Sequence, residues 1–408
     1  MNIFVAIVGL GLLVFIHEAG HFFTARAVGM TPRRFYVGFP PPLVRVKRKG
    51  IEYGIGAIPL GGYVKIPGMH RPAPSDLDTF LGPALAEAPH LLAPLERFKR
   101  RLAEGDMDGA RELVPGLEQA VNEASVSPQA AKAARRGLAE LKDGLGMDAY
   151  WRQKTWKKVA VIFAGPGTNL LFAIVVFFLL FLLVGELKLT RTIDTVQSKM
   201  PAQEVGLQPG DEVIAVNDKP VKADKISDAI MSSDGHPLTI TVRRDGTPAP
   251  VRLGPVAPKY VNGAYRLGFR LNAKAEHLGT AASLGKSVRF TGIITREIGA
   301  SLGRLVRGNK KEVSSPVGIV EGSSEALEQG AQTYFWVLGL LSLSLALLNL
   351  LPLLPLDGGH IAFSIIEGIR GRAVGREVYE RVSAVGIALV LLLFFIGLSN
   401  DIGKIGGN

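Results

Sequence analysis

The chain has 408 residues, 47% of them hydrophobic, with a formal net charge of +11 and no cysteine. That length allows about two or three domains and a sizeable core. The lack of cysteine excludes disulfides and thiolate ligands, so a transition metal must be held by His, Asp or Glu.

The apolar residues are concentrated near 3–16, 159–185, 334–356 and 382–399. A bilayer core about 30 Å thick takes about 20 helical residues to cross, so the sequence predicts four transmembrane helices. Basic residues follow the first run (Arg26, Arg33, Arg34, Arg45, Lys47, Arg48, Lys49) and precede the second (Arg152, Lys154, Lys157, Lys158). Arg370, Arg372, Arg376 and Arg381 lie between the last two. The positive-inside rule makes these segments cytoplasmic and puts both termini outside. Arg304, Arg307, Lys310 and Lys311 then fall on the outer side, and we read them as an amphipathic stretch resting on anionic lipid. The basic balance therefore reports membrane orientation, and no nucleic-acid partner is expected. Met1-Asn2 brings no side-chain positive charge ahead of the first run, so cleavage of a signal peptide after residues 25–27 is not expected.

The first predicted span, residues 1–27, holds His17, Glu18 and His21 in the motif HEAGH. Residues four apart share a helix face, so both imidazoles can serve one tetrahedral Zn²⁺, with Glu18 beside the remaining position to take a proton from water. An ionisable group at mid-bilayer costs about 2.5–3.5 kcal/mol, which favours function over decoration. His17 lies nine residues before Arg26, or ~13 Å of helix rise from the cytoplasmic boundary.

Residues 28–69 form a predicted membrane-associated β-hairpin region, with strands around LVRVKRK, IEYGI and YVKI between Gly and Pro breaks. Residues 70–150 are rich in Ala, Leu, Glu, Lys and Arg, and predict a soluble cytoplasmic helical insert in which His70 and His90 are ordinary surface residues. The second span occupies 151–186. In the outer region that follows, GLQPGDEVIAVND (206–218) resembles a bacterial PDZ domain, and one such module fits 187–275. PDZ domains bind peptides by strand addition, so a peptide or protein ligand is implied. Residues 276–333 are the extracytoplasmic amphipathic segment, 334–380 the third span with a cytoplasmic loop, and 381–408 the fourth span and C-terminus.

A catalytic zinc needs a third ligand and an open position. Residues 349–360, NLLPLLPLDGGH, break a helix at Pro352, Pro355 and Gly358–Gly359, and irregular backbone at membrane depth lines a protein-buried or wet site. Asp357 is the expected third ligand, with His360 the competing candidate.

HEAGH, PLGGYVK (59–65), AGPGTN (164–169), the PDZ-like module and NLLPLLPLDGG, in that order, resemble the bacterial site-2 proteases of the RseP-type branch. The resemblance implies a multi-span α-helical zinc intramembrane metalloprotease of the bacterial inner membrane. Its expected substrates are single-span membrane proteins, such as anti-sigma factors or remnant signal peptides. It implies His17, His21 and Asp357 as zinc ligands, Glu18 as catalytic acid/base and Asn349 as a positioning residue. Gly61, Gly62, Tyr63, Val64 and Lys65 would pair with unwound substrate, and Asn169, which ends the second-span glycine motif, would also bind it. Two features depart from the branch: one PDZ-like module instead of two, and a longer insert. The rival readings are a non-enzymatic PDZ-bearing receptor with a structural metal and, less well supported, a metal transporter.

Overall fold

The computed structural model describes residues 2–261, 264–307 and 315–405. In chain order, helix α1 (Asn2–Ala27) leads to strands β1 (Arg34–Arg48) and β2 (Ile51–Lys65). Helices α2 (Pro74–Glu87), α3 (Leu92–Glu104), α4 (Met107–Glu123) and α5 (Pro128–Leu145) come next, then the long α6 (Thr155–Leu183). A β-rich segment follows: β3 (Glu186–Val196), α7 (Pro201–Glu204), β4 (Glu212–Val216), β5 (Lys219–Pro220) and α8 (Ile226–Met231). It continues through β6 (Leu238–Arg243), β7 (Val251–Val256), β8 (Lys259–Val261), β9 (Ala264–Arg266) and β10 (Phe269–Glu276). The last helices are α9 (Thr280–Val306), α10 (Pro316–Glu328), α11 (Ala331–Asn349), α12 (Asp357–Arg370) and α13 (Arg376–Ile405). Two compact units result, one of Met1–Phe177 with Val288–Asn408 and the other of Phe178–Ser287.

Four helical stretches are long and apolar enough to cross a bilayer: Asn2–Ala27, Thr155–Leu183, Ala331–Asn349 and Glu377–Gly403. The protein is a multi-pass membrane protein with these as its candidate spans. Backbone groups in hydrocarbon must be satisfied internally, so such runs become helices despite their many β-branched residues. On α1 the buried positions Ala6, Gly9, Leu13, His17, Gly20, His21 and Ala25 form one stripe at helical spacing. Ile3, Phe4, Val8, Phe15 and Phe23 point outward, as a lipid-facing side requires. Both histidines therefore sit on the face turned into the protein.

The predicted short strands after α1 are longer than expected and begin earlier. β1 and β2 are each 15 residues long, and β1 starts at Arg34. Both are bent, because Arg34–Val37 lies between Glu52–Ile55 and Gly62–Lys65, while Val44–Arg48 pairs with the far side of Ile51–Ile55. Gly38 takes a positive φ of 88° at the bend, and prolines 40–42 offer no amide to the ladder there. Gly62–Lys65 is thereby left at an edge of this small sheet.

Helices α2 to α5 bury a core of their own, with Leu77, Leu95 and Phe98 almost completely enclosed. Their boundaries follow local chemistry. Asp106 accepts the Gly109 amide at 2.9 Å, Ser127 accepts the Ala130 amide at 3.3 Å, and Gly105 ends α3 in the left-handed region at φ 80°. α5 is tied to the bent sheet. Lys65 Nζ lies 2.7 Å from Glu140 and 3.0 Å from Asp143, and Arg33 donates to Asp143 at 2.7 Å and Asp148 at 2.9 Å.

Phe178–Ser287 holds an antiparallel sheet in the order β10-β3-β4-β6-β7, with β5 pairing β4. Alternation buries Leu238, Ile240 and Val242 on one face of β6, against Ile193, Val213 and Ile226. Asn217 and Asp218, both at positive φ (50° and 61°), make the tight turn between β4 and β5 that the ND dipeptide favours. Asp211 is buried and accepts two hydrogen bonds from Arg244, both at 2.7 Å. Of the four basic residues expected on the outer side, Arg304 and Arg307 belong to α9 and its end, and Lys310 and Lys311 lie outside the described residues.

Candidate active site

α1 and the start of α12 bring three donors together. His17 Nε2 is 3.1 Å from Asp357 Oδ2, His21 Nε2 is 3.4 Å from the same oxygen, and the two imidazole nitrogens are 3.3 Å apart. A tetrahedral ion with bonds of about 2.0–2.1 Å holds its ligand atoms about 3.3–3.4 Å apart, so all three edges fit zinc. Asp357 Oδ2 is buried and finds no hydrogen-bond partner among the described residues. An acceptor left this way at membrane depth is costly unless a cation completes it. His17, His21 and Asp357 are also the group of metal-capable side chains found among the described residues. His360, the alternative third ligand, is turned away, with Nδ1 2.6 Å from the Tyr379 hydroxyl.

Each histidine is set by a neighbour on α6. His21 Nδ1 donates to the Val161 carbonyl at 2.8 Å, which fixes its tautomer and leaves Nε2 to a metal. Pro166 cannot donate to the Ile162 carbonyl one turn before it, next to Val161 in the chain. His17 Nδ1 faces Asn169 Nδ2 at 3.5 Å. Gly165 makes this approach possible, since a Cβ there would run into His21 Nε2 and come within 2.9 Å of His17 Nε2. This is the physical content of the AGPGTN motif.

Asp357 arrives from the opposite side. α11 ends at Asn349, the chain runs through a non-helical stretch with a cis Leu354–Pro355 bond, and α12 restarts at Asp357. Close packing accompanies the break, since a Cβ on Gly358 would overlap the Leu350 and Leu351 carbonyls. Asn349 donates to the Leu345 carbonyl of its own helix at 3.0 Å.

Glu18 is not part of the donor triangle. It points to the edge segment of β2, where a Cβ on Gly62 would fall on the Glu18 side chain. A cavity of about 340 Å³ continues from Tyr63–Ile66 to the insert, reaching Phe80, Arg136 and Glu140. Burial alone would lower the Lys65 ammonium, but Glu140 and Asp143 outweigh it and hold its pKa above the usual value. The role of α5 in anchoring this segment, through Glu140 and Asp143, is not readable from sequence. Acids on a solvated helix and acids facing a strand look alike there. The Val161 carbonyl is equally silent, being main chain.

The sequence profile of peptidase family M50 matches residues 5–393. The chain belongs to peptidase family M50, the site-2 zinc metalloproteases. The zinc metalloprotease RasP of Geobacillus kaustophilus is 30% identical over 415 residues, covering 98% of this chain and 97% of the relative. The zinc metalloprotease Rip1 of Mycobacterium bovis is 30% identical over 428 residues, covering 93% and 88%. Rip1 of Mycobacterium tuberculosis is 29% identical over the same length. Zinc is the cofactor, and two imidazoles with one carboxylate are a donor set suited to it.

Proposed function

We propose that the chain is an endopeptidase that cuts transmembrane segments of single-span membrane proteins, of the anti-sigma-factor or remnant-signal-peptide type. The observation that carries this reading is the 3.1–3.4 Å triangle of His17, His21 and Asp357, with Glu18 between it and an edge strand. Zinc bound there supplies Lewis acidity for a peptide carbonyl and for water. Glu18 takes the proton of the attacking water and delivers it to the leaving amine. A helical substrate must unwind before it can be cut, and its freed amides and carbonyls need partners. Gly61–Lys65 supplies them by strand addition. Asn349 directs its second amide proton toward the substrate carbonyl at the broken end of α11.

In this reading residues 187–275 are a PDZ domain that admits substrates whose outer domain has been removed. The supporting features are GLQPGDEVIAVND, the β4–β5 turn and the short helices α7 and α8 set among antiparallel strands. The insert and the Asn349 end of α11 face the cytoplasm of a bacterial inner membrane, and the PDZ domain and both termini lie outside, a reading supported by the basic residues flanking the spans.

The test is cleavage of a single-span substrate by the reconstituted protein. Glu18→Gln retains zinc and loses cleavage by at least about a hundredfold, the scale of general acid–base catalysis. Parental cleavage by that variant rejects the Glu18 mechanism, and a parent that binds zinc but does not cleave leaves the receptor reading.

A further inference from the structure

We propose that Asn169 is a positioning residue for the metal centre: its side-chain oxygen accepts the Nδ1 proton of His17 and leaves Nε2 to zinc. This departs from the substrate-binding role implied by the resemblance. It rests on the zinc reading of His17, His21 and Asp357.

Asn169 is completely buried, and its Oδ1 has no hydrogen-bond partner among the described residues. Its Nδ2 meets His17 Nδ1 at 3.5 Å, at the far limit of a hydrogen bond. His17 Nε2 faces Asp357, so it is the metal-side nitrogen. An imidazole that gives Nε2 to a metal carries its proton on Nδ1, which makes Nδ1 a donor that needs an acceptor. The two ends of a carboxamide are nearly the same shape, and a half-turn of the amide exchanges them in place. That half-turn gives His17 its acceptor and the buried oxygen its donor together. The result matches His21, whose Nδ1 already has the Val161 carbonyl.

The backbone places Asn169 for this task and not for contact with substrate. Its own carbonyl accepts the Ser342 hydroxyl of α11 at 2.9 Å, and the preceding Thr168 hydroxyl lies between the Gly165 carbonyl of its own helix at 2.8 Å and the Ile16 carbonyl of α1 at 3.0 Å. These contacts set the α6 turn between α1 and α11, beside the imidazole. Partners of this kind, one step out from a metal, change affinity by about 10–100-fold when lost.

The experiment measures zinc affinity of the purified full chain by competition with a chromophoric chelator, without substrate. Asn169→Leu keeps size but offers no acceptor, and is expected to weaken zinc about 10–100-fold. Asn169→Asp keeps an oxygen in place and is expected to bind zinc within about threefold of the parent, or more tightly. Parental affinity in Asn169→Leu overturns the proposal, and so does an affinity weakened about tenfold or more in Asn169→Asp, which decides the matter if the leucine variant does not fold. His17→Ala separates the two readings. Undiminished zinc there rejects the ligand set itself, whereas lost zinc there with parental affinity in Asn169→Leu rejects only the positioning role.

Discussion

At the scale of single residues, the site depends on absences as much as on functional groups. Gly165 and Gly62 mark places where a methyl group would occupy the space of His21 and of Glu18 respectively. Gly62→Ala is therefore expected to push the Glu18 carboxylate aside while leaving the zinc ligands untouched. Misplacement by about 1 Å costs on the order of a hundredfold in rate, so kcat/KM should fall by about that factor with zinc content unchanged. Cleavage at the parental rate would show that Glu18 does not work against this strand.

At the scale of elements, the helical insert and the β-rich unit each bury an apolar core, and the second adds a buried ion pair. The α2–α5 insert relies on apolar packing around Phe98, which is fully buried. Phe98→Ala should destabilise the insert by about 3–5 kcal/mol, the usual cost of emptying that volume, read as faster hydrogen exchange across residues 74–145. An unchanged exchange rate would mean that Phe98 is not central to that core. The β-rich unit also buries a charge, the Asp211 carboxylate. Burial on its own would raise the Asp211 carboxyl, yet the Arg244 guanidinium and the Gln208 amide outweigh it and hold it below the usual carboxylate range. A depressed acid stabilises the fold above its unfolded pKa, near 3.9, and that stabilisation is lost as pH falls through the folded value. Hydrogen-exchange protection of residues 186–276 should thus drop on acidification below about pH 4 in the parent. In Asp211→Asn it should begin lower and lose the Asp211 share of that pH dependence. A parent and variant with parallel pH profiles would contradict this.

At the scale of the whole molecule, the proposed orientation has a direct readout, because the chain contains no cysteine. Glu112→Cys, exposed on α4, and Lys219→Cys, exposed in the β4–β5 hairpin, introduce single thiols on opposite sides of the expected topology. A membrane-impermeant thiol reagent applied to intact cells should label the Lys219 variant and spare the Glu112 variant until the membrane is opened. The reverse pattern would invert the orientation.

The sequence by itself determined the four apolar helices, the helical insert and the two histidines on one helix face with Glu18 next to them, because periodicity and burial in hydrocarbon are local constraints. It also offered Asp357, through a helix break that hydrocarbon tolerates only inside protein. It already preferred Asp357 to His360; what the tertiary structure adds is the path of α12, which turns Asp357 toward α1 and His360 toward Tyr379. The length and bending of β1 and β2 were hidden as well, because prolines and glycines read as breaks when they only bend a continuing strand. Asn169 shows the same division. Its presence in AGPGTN was plain, but its service to His17 across 152 positions of chain is a contact between helices, and contacts are decided by packing and not by pattern.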